Sequence, residues 1–130
     1  MSRRETPMTR WYWEQTKGTL VEEFCAVSES SGNGKRLLDG IIIKGEEFRI
    51  AQQSEISIKD KDILIVQTKR SRLGMSVMGQ ALFSAKLMEK FEPRSIESVA
   101  LVTGDDEVLR PIFEKYPGMK VVIVPKEIYS

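Results

Sequence analysis

Gln67 and Lys69 stand two apart where an apolar β-branched run, Asp62-Ile63-Leu64-Ile65-Val66, turns polar without a break. Alternate residues of a strand share a face, so Gln67 and Lys69 point the same way as Ile63 and Ile65. A strand apolar at 63 and 65 and polar at 67 and 69 runs from a core to a cleft. Asp39 is the one acid in a second apolar run, Arg36-Leu-Leu-Asp-Gly-Ile-Ile-Ile43. If the two strands are neighbours, its carboxylate approaches the Gln67 amide. A carboxylate oxygen, an amide oxygen, the main-chain carbonyl of Thr68 and waters would suit one hard divalent cation, Mg²⁺ or Mn²⁺. Lys69 could then position an attacking water or neutralise charge on a phosphate. Glu22 and Gln80 are two further candidates, each expected on a helix.

The composition narrows the chemistry. The chain has 130 residues, no histidine, one cysteine and a net charge of +1. Without histidine there is no Ser-His-Asp triad, Cys-His pair or His-rich zinc site. Cys25 cannot form an intramolecular disulfide and reads as a core thiol on a helix face, in a reducing cytoplasmic setting. No apolar stretch approaches the ~18 residues of a membrane span, and the N-terminus lacks a signal-type apolar core. The Gly-rich loop at 28–35, SESSGNGK, lacks the spacing and the following Ser/Thr of a phosphate-binding loop.

Patterning supplies the elements that must position these residues. A single domain covers 1–130, with 1–9 expected as a loose tail. Trp13, Leu20, Val21 and Phe24 fit a helical stripe over residues 10–27. Residues 36–43, the region 47–58, and 62–69 read as strands. A helix is expected over 73–92, with Met75, Met78, Ala81, Leu82, Ala85 and Met88 on its apolar face. A strand at 97–103, a short helix to about residue 116 and a strand at 119–124 follow. The expected class is α/β, a mixed central sheet flanked by helices in the order α-β-β-β-α-β-α-β.

That order and these residues together resemble the PD-(D/E)xK nuclease superfamily, the restriction-endonuclease-like fold. Asp39 matches the Asp of its second core strand, and Lys69 the lysine of the acid-x-Lys on its third. Lys17-Gly18-Thr19-Leu20-Val21-Glu22 looks like the Lys-Gly-x-x-x-Glu element on the first helix of many members, archaeal Holliday-junction resolvases among them. Gly79-Gln80 resembles RecB-like members, in which a helix glutamine lies near the site. The likeness spans about residues 17–102. It implies Mg²⁺ or Mn²⁺ held by Asp39, Gln67, Glu22 and the Thr68 carbonyl, with Lys69 beside them, and metal-dependent hydrolysis of DNA. One departure is chemical: Gln67 replaces the family's acid. Glu55 would be a migrated substitute.

Residues 67–94 carry six cations against two acids. Arg70 and Arg72, with Lys17 and Gln80, are the candidates for contact with a nucleic-acid backbone. Trp11-Tyr12-Trp13 reads as core packing or an oligomer interface, which leaves a homodimer open. A neutral Gln67 keeps a second function in view, a catalytically inactive nuclease-fold module for nucleic-acid or protein binding.

Overall fold

The computed structural model describes residues 4–130. Its main elements are α1 (Thr6–Thr16), β1 (Thr19–Val27), β2 (Arg36–Ile43), β3 (Arg49–Ile50), β4 (Asp62–Thr68), α2 (Met75–Met88), β5 (Ser95–Val102), α3 (Leu109–Glu114), β6 (Met119–Ile123) and α4 (Lys126–Tyr129). The strands form one six-stranded sheet in the order β3-β1-β2-β4-β5-β6. β2 lies antiparallel between β1 and β4, whereas β5 and β6 follow β4 in parallel. The class is α/β with a mixed sheet between helices, as the patterning implies.

β4 is apolar at every position from Ile63 to Val66 because both its faces are covered. Ile63 and Ile65 pack with Val77, Ala81, Ala85 and Met88 of α2. Leu64 and Val66 pack with Met8, Tyr12 and Trp13 of α1. β5 alternates in the same way, with Ala100 and Val102 toward α2 and Val99 and Leu101 toward α1.

The first helix is shorter than expected and starts earlier. It begins at Thr6, inside the stretch read as tail; residues 1–3 lie outside those described. It ends at Thr16, where Lys17 (φ 61°) and Gly18 (φ 86°) turn the chain. Thr19–Val27 is a strand, not a continuing helix, and Cys25 is half-buried on it. Leu20, Val21 and Phe24 satisfy a helical stripe locally, but pairing along the whole of β2 overrides that pattern. Residues 47–58 contribute only the two-residue edge strand β3 and a 3₁₀ turn at Gln53–Glu55. Glu55 is used there: its carboxylate accepts from the Gln52 N–H and pairs with Arg49. It is no substitute acid for the site.

A Cβ on Gly18 would lie 2.5 Å from the Ile43 carbonyl oxygen, at a φ that disfavours L-residues. Gly18→Ala is therefore expected to lower stability by roughly 2–4 kcal/mol, read as a lower urea midpoint at unchanged m-value.

Candidate functional site

β2 and β4 pair from Ile43–Ile63 to Gly40–Val66. Continued by one residue, the register sets Asp39 opposite Gln67. The main-chain ladder stops there, and the Asp39 carboxylate takes over as acceptor: Oδ2 receives the Thr68 N–H at 2.8 Å. On the other strand of the pair with β1, Glu22 faces Gly40 and Phe24 faces Leu38, so Glu23 lies opposite Asp39. Glu23, Asp39 and Gln67 thus form one row across three strands. Glu23 holds φ 51°, a left-handed conformation that is rare for a side-chain-bearing residue in mid-strand.

Gln67 is only 5% exposed, and its amide nitrogen donates to Ser84 Oγ of α2 at 2.7 Å. Among the described residues no buried side-chain polar atom lacks a partner. The Gln67 amide oxygen, which has no protein partner, therefore reaches the cleft. On the opposite face Thr68 Oγ1 and Thr9 Oγ1 share a hydrogen bond of 2.7 Å, so the end of β4 is tied to both α1 and α2. The cleft beside it has a volume of about 390 Å³ and is lined by Asp39, Gln67, Gln80, Ser84, Arg36 and Phe83 among others.

Burial pushes the Asp39 carboxyl above its ordinary value near 3.8. The Thr68 N–H opposes that rise, and the negative charges of Glu5 and Glu23 add to it. No lysine or arginine pairs with Asp39 among the described residues. A half-buried anion with two acids nearby and no cationic side chain attached favours a cation or a proton.

The sequence candidates divide. Asp39, Gln67 and Gln80 line one cleft, and Thr68 joins them through its main chain. Lys69 lies just beyond the strand, exposed, with its main-chain N–H on the Leu101 carbonyl. Arg70 and Arg72 continue at the same end of β4. The Arg70 guanidinium sits 5.5 Å from the Tyr129 ring, and Arg72 is exposed and bridges to Gly104.

Glu22 and Lys17 fall elsewhere. Glu22 is on a strand, and alternation with Val21 turns it to the α1 side. There both its oxygens accept from Arg10, at 2.9 and 3.1 Å. The Lys-Gly-x-x-x-Glu element of a first helix is therefore absent as a helical element. Lys17 lies past the Ile43 end of β2, roughly 13 Å along the strand from Asp39, with its ammonium over Phe48.

Three residues at this end were not singled out from sequence. Glu5, at the N-cap of α1, accepts the Arg70 N–H at 3.3 Å. Its signal was Pro7, a residue suited to the first turn of a helix. Ser84 could have been found as a lone hydroxyl among Ala81, Ala85 and Met88. Glu23 has no local signal, because its place depends on the register with β2.

Comparison with protein-family models, curated proteins and solved structures finds no match to this chain.

The donors offer a metal one full carboxylate, Asp39, and the Gln67 amide oxygen; the main-chain group that Thr68 turns to Asp39 is its N–H. Among the described residues no group of three Asp, Glu, Cys or His side chains is placed to hold an ion. The set fits a weakly held, largely hydrated Mg²⁺, an ion that keeps several waters and often takes only one or two carboxylates.

Proposed function

We propose that this chain is a metal-dependent nuclease of the PD-(D/E)xK type, hydrolysing phosphodiester bonds in DNA. One observation carries the reading. Asp39 is held directly across from Gln67 at the open end of β4, half-buried and without a cationic side chain attached. The element order around that pair supports it: an Asp on β2, a Gln-x-Lys that runs from β4 one residue past its end, and Gln80 on the helix that follows.

Asp39, Gln67 and the Thr68 carbonyl would hold Mg²⁺, which when bound acidifies water and draws charge from a phosphoryl oxygen. The chain's own groups do the rest. Lys69, free of ion pairs among the described residues, meets the scissile phosphate and offsets the charge that builds on it. Water attacks phosphorus, the P–O bond to the leaving oxygen breaks, and that oxygen takes up a proton. Arg70 and Arg72 hold the flanking phosphates without reading sequence.

A second reading, a binding module without catalysis, is favoured by the neutral Gln67 tethered to Ser84. The two part in one assay. The whole protein is incubated with duplex, branched and single-stranded DNA in Mg²⁺, Mn²⁺ or chelator, beside Lys69→Ala. Cleavage that needs metal and falls about 10²-fold or more in Lys69→Ala supports the nuclease. Salt-sensitive binding with no cleavage in any metal supports the module.

A further inference from the structure

The α2 wall of the cleft has features that a metal site does not require. Phe83 is 68% exposed and lines the cleft. Gly79 lies four residues earlier, on the same side of the helix, and lines it too. Glycine is among the poorest helix formers, yet no neighbour demands it here: a Cβ at 79 would meet nothing within 4 Å. The pair leaves a notch, floored by helix backbone and walled by an aromatic face. At its rim are Gln80 and Arg36; among the described residues the amide of the first has no partner and the second pairs with no acid. Leu37, 46% exposed, completes an apolar lip.

We infer that this notch holds an unpaired nucleobase, so that the site prefers single-stranded nucleic acid to duplex. The inference rests on the reading of the cleft as a nucleic-acid site. The chemistry of the notch matches a splayed nucleotide. A base has a π-face for Phe83 whatever its identity, and stacking on an aromatic side chain is the common mode of single-strand binding. Its polar edge meets the Gln80 amide, and its phosphate meets Arg36. A paired base keeps its faces inside the duplex stack and cannot use the Phe83 wall. The volume of about 390 Å³ falls within the range of small-ligand pockets, about 300–1,000 Å³. Gly79 supplies the room, which accounts for a glycine in the middle of a helix.

The test uses a labelled oligonucleotide, single-stranded or as a blunt duplex, with chelator present to prevent cleavage. Affinities are read by fluorescence anisotropy for the whole protein, Phe83→Ala and Gly79→Leu. Phe83 is exposed and leucine suits a helix, so neither variant should lower the urea midpoint. The wild type is expected to bind the single strand more tightly than the duplex. Each variant should weaken single-strand binding about tenfold or more and leave duplex binding unchanged. Equal single-strand affinity in wild type and variants overturns the inference, as does a preference for duplex. So does sedimentation showing that Phe83→Ala only dissolves a self-associated dimer. Metal-dependent cleavage by the wild type, with single-strand affinity indifferent to both variants, would leave the nuclease standing and the notch empty. Single-strand binding that depends on Phe83, without cleavage, would do the reverse.

Discussion

Asp39→Asn is expected to abolish metal-dependent cleavage while leaving the fold as stable as the wild type at neutral pH, or more so. The two effects have separate causes. Asparagine keeps an oxygen where Oδ2 stands, so the Thr68 N–H retains its acceptor and the end of β4 stays closed. The charge is lost, and with it the carboxylate that Asp39 offers a metal beside Gln67. A metal ion supplies several kcal/mol of transition-state stabilisation, so a loss of about 10³-fold or more is expected. Stability moves the other way because the Asp39 carboxyl is raised above its ordinary value near 3.8, chiefly by burial. An acid with a raised folded-state pKa binds its proton more tightly in the native than in the unfolded protein. Between the unfolded and folded values, that group therefore makes stability fall as pH rises. Asparagine has no such dependence. The variant's advantage in urea midpoint should be absent well below pH 4, grow as pH rises through the folded value and then level off. A variant less stable than wild type at pH 7, with cleavage intact, would make Asp39 a structural acceptor and nothing more.

Much of this site could be read before the structure, and the reasons are local. The polar end of β4 shows itself because the strand is short, β-branched and buried on both faces, so any polar residue in it stands out. Asp39 shows itself likewise, and two antiparallel neighbours fix the rest of their relation by register. α2 was legible because its apolar positions repeat over nearly four turns. What failed was the segment around Gly18. Leu20, Val21 and Phe24 fit a helical stripe, and only pairing with β2 decides for a strand. That one outcome removes Glu22 from the cleft, since strand alternation sends it to Arg10. It also brings Glu23 opposite Asp39. Glu5 was missed for a different reason: a polar stretch looks like a tail until Met8 is seen buried on the sheet-facing side of α1. The acids near Asp39 are thus the ones whose positions depend on long-range pairing, which no window of sequence contains.

Gln67→Glu is the complementary change, and its expected signature is stability that depends on metal. Glutamate is close in size to glutamine, and its carboxylate can accept from the Ser84 hydroxyl, so the contact with α2 survives with the proton reversed. The new charge would lie opposite Asp39, where directly paired strand residues have Cβ atoms about 5 Å apart. At an effective dielectric near 20, two such charges repel by about 3 kcal/mol. Glu5 and Glu23 already burden Asp39. In chelator the variant should therefore unfold at a lower temperature than wild type. Mg²⁺ or Mn²⁺ relieves the repulsion and gains a second carboxylate ligand, so saturating metal should restore the midpoint or exceed it. The wild type, with one full charge, should respond far less to the same ion. Metal affinity read from the shift should rise at least about tenfold, and cleavage at limiting Mg²⁺ should rise with it. A glutamate variant destabilised equally with and without metal would show that no ion binds between these strands. Ser84, which ties Gln67 to α2, would then hold it for the fold alone.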